Sequence, residues 1–130
     1  MDYEGDKLTQ AIIECIIRVH EVLGPGFLEA VYRQALLVEL RRRGLQADSE
    51  KEIVIWYEGV EVGRHRLDIL VEGRVIIELK TVESLARVHY AQVRSYLKAT
   101  DLGVALLVNF ATAKADFRRV EHPDKQSLSP

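Results

Sequence analysis

A chain of 130 residues, 48% of them hydrophobic and 29% charged, is long enough to bury a core of its own and needs neither disulfides nor a structural metal. Its lone cysteine, Cys15, excludes an internal disulfide. No apolar run approaches the ~20 residues that span a bilayer, and the acidic start from Met1 to Asp6 lacks the layout of a signal peptide, so a soluble cytoplasmic protein with no membrane partner is expected. A net charge of −2 speaks against a generic nucleic-acid coat, which binds through many Lys and Arg, but not against an enzyme with an acidic centre.

From Lys7 to Leu23 the residues Leu8, Ile12, Cys15, Ile16, Val19 and Val22-Leu23 recur at helical spacing, which predicts an amphipathic helix ended by Gly24-Pro25-Gly26. A second helix is predicted over Leu28 to Arg43, burying Val31, Ala35, Leu36, Val38 and Leu40, with Arg41-Arg42-Arg43 solvated in its last turn and Gly44 as its stop. Glu50 to Tyr57, Val60 to Val71 and Arg74 to Val82 read as three strands of a meander, turned at Glu58-Gly59 and Glu72-Gly73. A third helix follows over Leu85 to Thr100, with Val93 and Leu97 on its packed stripe. The run Val104 to Val108 is apolar on both faces, as a strand buried between layers should be, and the preceding helix suits a crossover into parallel pairing. Phe117 to Val120 completes the set as a short edge strand, and the end from His122 is polar and expected to be loosely ordered. One domain over 1–122 with a tail over 123–130 is therefore expected.

The chemistry concentrates in the hairpin from Arg66 to Thr81. Strand alternation puts Glu78 and Lys80 on one face and Val75, Ile77 and Leu79 on the other, with Asp68 on the partner strand. An acid and a base among these aliphatic residues cost several kcal/mol per ion, roughly, unless each is paired or bound to a metal. Two explanations stand side by side: a structural ion pair on a half-exposed sheet, or a pair of carboxylates that hold a hard divalent cation with lysine beside it.

Asp68 followed by Glu78-Leu79-Lys80 resembles the D…ExK signature of the PD-(D/E)XK nuclease superfamily. Gly26-Phe27-Leu28-Glu29-Ala30-Val31-Tyr32 resembles the pattern of its GxxExxY family, and Gln92-Val93-Arg94-Ser95-Tyr96 the QxxxY element of its RecB-like branch. The residue before Asp68 is Leu67, where the superfamily often has proline. The resemblance implies an α/β fold in one domain, a restriction-endonuclease-like αβββαβ core with a mixed sheet flanked by helices and an extra N-terminal helix. It also implies a nuclease with Mg²⁺ or Mn²⁺ as cofactor and nucleic acid, above all DNA, as partner. Carried over to this sequence, Asp68, Glu78, Glu29 and the Leu79 carbonyl become metal ligands. Lys80, Gln92 and Tyr96 join Glu29, Asp68 and Glu78 as catalytic candidates, and Tyr32, His65 and His89 form a second tier.

Two alternatives accompany the metal-dependent phosphodiesterase. One is a module of the same fold that binds nucleic acid or protein without cutting; the other is a homodimeric structure-selective nuclease such as a junction resolvase. Substrate type, polarity of cleavage and pathway are not readable from the residues.

Overall fold

The computed structural model describes residues 5–126. Its elements run α1 (Gly5–Leu23), α2 (Glu29–Arg42), β1 (Ala47–Tyr57), β2 (Val60–Val71), β3 (Val75–Lys80), α3 (Arg87–Thr100), β4 (Val104–Asn109), β5 (Asp116–Glu121) and a single turn, α4 (Pro123–Gln126). The five strands form one sheet in chain order, antiparallel throughout except where β3 meets β4 in parallel. That parallel step needs a crossover, and α3 supplies it. The expected α/β architecture, with a mixed sheet and an additional N-terminal helix, is the one observed.

Alternation along β3 builds two cores. Val75, Ile77 and Leu79 join Ile69, Val71, Leu106 and Val108 beneath α1 and α2, while Ile76 joins Leu70, Ala105 and Leu107 beneath Val93, Tyr96 and Leu97 of α3. Leu8, Ile12, Cys15, Ile16 and Val19 are buried as the helical stripe of α1 requires, but Val22 is exposed, and in the last turn His20 and Leu23 face the core instead.

The stripe of α2 differs from the expected one. Val31 and Val38 are exposed, and the buried face is Tyr32, Leu36, Leu37 and Leu40. A phenol tips the balance: the Tyr32 ring stacks on Phe110 at 4.5 Å, and its hydroxyl donates to Gly24 O (2.5 Å) and accepts from Phe27 N (3.1 Å). Satisfying that hydroxyl lets the largest apolar ring of the helix turn inward. The same bonds fix the entry into α2, where Gly26 has φ +116°, a conformation that side chains rarely adopt.

Two strand limits also move. β1 begins at Ala47, paired with Val71, and β3 stops at Lys80. Beyond Lys80 the chain leaves the ladder because Asn109, wholly buried, captures Val82: its Oδ1 accepts from Val82 N (3.1 Å) and its Nδ2 donates to Val82 O (2.8 Å). Of the polar end expected to be loose, 123–126 form α4 and His122 is buried; 127–130 lie outside the described residues.

Candidate active site

The hairpin of β2 and β3 is zipped only at its turn. Ile69, Leu70 and Val71 pair with Ile77, Ile76 and Val75, after which the two strands part. At the fork, Asp68 Oδ2 accepts the Leu79 backbone N–H at 2.8 Å, replacing a ladder bond with a side-chain one. Alternation fails there too: Leu67 belongs to the core beneath α3, whereas Ile69, two residues on, belongs to the core beneath α1 and α2. The resulting gap admits side chains from both helical layers. Glu29 and Arg33 come from α2, one turn apart on one face, and Gln92 and Tyr96 come from α3.

Glu78 points into this gap and is 5% exposed. Its Oε2 lies 3.6 Å from Lys80 Nζ, which in turn donates to Gln92 Oε1 at 3.2 Å. Its Oε1 meets no hydrogen-bond geometry with any described residue. Burial, and then the charge of Asp68, push the Glu78 carboxyl up to about 8, with Glu29 adding to the effect and Lys80 opposing it. Glu29 is raised by the same two causes, against Lys80 and Arg33. The wall behind them is a pair of rings: His65 and Tyr96 stack at 4.0 Å, with Tyr96 Oη 3.3 Å from His65 Nδ1. Burial lowers the His65 imidazole and raises the Tyr96 phenol, so both rings are held neutral.

The profile of the PD-(D/E)XK nuclease superfamily matches residues 6–120. This chain belongs to that superfamily. Among solved structures, the fold is similar to "Crystal structure of SSO0001", with a TM-score of 0.58 and 20% identity over 73% of this chain and 50% of that one. It is also similar to an alkaline exonuclease, LHK-Exo, from Laribacter hongkongensis, with a TM-score of 0.54 and 14% identity over 98% of this chain and 75% of that one. At such identities the likeness is one of fold, and the chain spans half the length of the SSO0001 chain. No curated protein matches the sequence.

In this superfamily member, the D…ExK residues Asp68, Glu78 and Lys80 meet at the fork together with Glu29, Gln92, Tyr96, His65 and the Leu79 backbone. Tyr32 and His89 lie elsewhere: Tyr32 locks the α1–α2 loop, and His89 Nδ1 accepts the Ala86 N–H at 2.9 Å at the start of α3. A separate concavity, lined by Ile17, His20, Pro25 and Phe117 among others, shares no residue with this cluster and is mainly apolar, so it carries none of this chemistry.

Three buried side-chain polar atoms lack a hydrogen-bond partner among the described residues: Glu78 Oε1, His65 Nε2 and Arg33 Nε. All three surround the fork. Natural structures leave few such orphans, and three at one place mark a site shaped for something besides protein. The donor set is hard oxygen, which suits Mg²⁺ or Mn²⁺. No three His, Cys, Asp or Glu side chains among the described residues converge into a metal cage. Magnesium does not need one, since one or two carboxylates suffice when water and substrate phosphate supply the rest.

Arg33, Glu50 and Asn109 escaped the sequence reading. Arg33 follows Glu29 by one helical turn, a spacing that offered a signal. Asn109 was visible only as the end of a strand, and nothing in the sequence marks Glu50.

Proposed function

We propose that the protein is a divalent-metal-dependent phosphodiesterase acting on DNA. The observation that carries this reading is buried Glu78 beside Asp68: its Oε1 makes no hydrogen bond to a described residue by geometry, and the two acids ionise together only when a cation joins them. Asp68 and Glu78, with Glu29 and the Leu79 carbonyl as further oxygen donors, would hold Mg²⁺ or Mn²⁺. When bound, such an ion neutralises charge on a phosphoryl oxygen and acidifies water.

The protein's own residues supply the rest. Lys80, held between Glu78 and Gln92, presents N–H donors to an attacking water and to the charge that builds on phosphoryl oxygen in the transition state. Gln92 keeps that ammonium in place, and Tyr96 with His65 walls the pocket against bulk water. The arrangement supports the GxxExxY and QxxxY assignments: Glu29 lies within the electrostatic reach of Asp68 and Lys80, Gln92 touches Lys80, and Tyr32 sets the direction of α2. We place the domain over 1–122, and the buried thiol of Cys15 accords with a reducing cytoplasm.

Two observations favour the alternatives. Among the described residues no three ligating side chains form a cage, and a site so sparsely supplied also suits a module that binds without cutting. The β1–β2 ribbon, which exposes Trp56, Tyr57, Val60 and Val62, favours a homodimer. Calorimetric titration of Mg²⁺ and Mn²⁺ decides the first, beside Asp68→Ala/Glu78→Ala protein and with cleavage of single-stranded, duplex and branched DNA followed in parallel. Metal binding and cleavage that vanish together in the variant are expected. Intact protein that binds no metal even with DNA present would sink the catalytic reading. Light scattering decides the second.

A further inference from the structure

Arg33 stands at the fork without the partners that its chemistry calls for. Its side chain is 18% exposed, yet its guanidinium makes no hydrogen bond to any described residue. Its nearest acceptors are Glu50 Oε1 at 3.6 Å and Asp68 Oδ1 at 4.0 Å, and its Nε is buried and orphaned. A guanidinium placed only to neutralise these carboxylates would close on one of them as a bidentate fork at ordinary hydrogen-bond distance. Here it is held back from both.

Glu50 shows the complementary anomaly. Four non-glycine residues among those described have positive φ; Glu58 and Glu72 precede the glycines of two hairpin turns, and Asp101 caps α3. Glu50, at φ +53°, lies within a strand. It stands opposite Asp68, at the position between Ser49↔Ile69 and Lys51↔Leu67 that the β1–β2 ladder skips without a change of register. Strain of this kind persists where the surroundings demand it, and it gathers at binding sites. Its effect is to hold the Glu50 carboxylate between two cations, with Oε1 3.6 Å from Arg33 and Oε2 3.7 Å from Arg66. Neither contact is a hydrogen bond, so the carboxylate is loosely held.

We propose that Arg33 and Arg66 form a phosphate subsite for the nucleic-acid backbone beside the D…ExK centre, and that Glu50 stands in for the phosphate until substrate arrives. Two oxygens of a phosphodiester can take both guanidinium groups at hydrogen-bond distance, which Glu50, fixed to a strand, does not reach. The partly buried Arg33 then sets strand register, and the exposed Arg66 adds attraction. Glu50 occupies the space between the two arginines in the free protein, and swinging out removes a negative charge from the path of the substrate. The inference rests on the nuclease reading and adds to it a specific place for the backbone.

The test is anisotropy of short labelled DNA, single-stranded and duplex, in Ca²⁺ across a range of NaCl, with cleavage followed separately in Mg²⁺. Arg33→Ala is expected to weaken binding about tenfold and to lower the salt slope by about one. Arg33→Lys keeps charge but not the fork, and should recover only part of the affinity. Glu50→Gln should tighten binding severalfold, an outcome that a merely structural ion pair does not produce. Melting curves establish that each variant is folded, and Arg33→Lys and Glu50→Gln carry the test if Arg33→Ala is not. Wild-type protein that cuts DNA while Arg33→Ala and Arg33→Lys keep its affinity and salt slope, or a Glu50→Gln protein that binds more weakly, would overturn the subsite and leave the nuclease reading standing. Wild-type protein that neither binds nor cuts any nucleic acid removes both.

Discussion

Glu78 binds its proton more tightly in the folded chain than in the unfolded one, because burial and the Asp68 charge disfavour its anion. The sign of the pH effect follows. Stability from this group is complete below the ordinary value of 4.5 and is lost as the pH rises through about 8. In EDTA the unfolding free energy should therefore decline across that window, by on the order of a few kcal/mol. Glu78→Gln should flatten the decline. Urea melts at a series of pH values check it, and a wild-type profile that parallels the variant's would refute the account. Lys80 is a different case, a cation placed between Glu78 and Gln92. Replacing it with Met should cost about 100-fold or more in kcat while leaving metal affinity within a small factor, since its work is on developing charge. Steady-state kinetics beside metal titration separate the two.

At the scale of elements, the β2–β3 hairpin and its supports decide whether the site exists. Asn109 holds the exit of β3 through Val82 and also accepts the Ala111 N–H at 3.1 Å. Asn109→Ala leaves buried backbone groups unpaired and is expected to destabilise by about 2 kcal/mol or more, read by denaturant melts. The turn at Glu58-Gly59 is a contrasting case, with φ +51° and +77° at an exposed position. Glu58→Asn puts a residue suited to that conformation before the glycine and should stabilise by roughly 0.5 kcal/mol. A melting temperature unchanged or lowered would count against it. These elements were legible in the sequence because their signals are local: helical stripes, Glu-Gly turns and the all-apolar run from Val104 to Val108. The exposed faces of Val31 and Val38 were not, because Tyr32 is inward only by virtue of its bonds to Gly24 and Phe27 in another segment. Among site residues, Asp68, Glu78, Lys80 and Gln92 could be named since a charged residue in an apolar strand, or a short motif, announces itself. Glu50 could not, since its importance lies in a backbone angle and in what faces it across the sheet.

For the whole molecule, the parallel pair of β3 and β4 is the step on which the site depends. Asp68, Glu78 and Lys80 lie on one hairpin, but Gln92 and Tyr96 reach it only when α3 packs down, and α3 packs down as the crossover to β4. A chain ended after Thr100 lacks the strand that lies between β3 and β5. Such a truncated chain is expected to lose both cooperative unfolding and metal binding, as circular dichroism and calorimetry would show; a fragment that retained either would contradict this dependence.

That dependence has a temporal side. During synthesis the hairpin emerges from the ribosome before α3 and β4, so its two acids and its lysine spend that interval in water, without the burial that shapes the candidate site. On the nuclease reading, scission would in this way wait until the last strands are in place. A half-made chain, born beside messenger and ribosomal RNA, carries the residues of a blade but no edge.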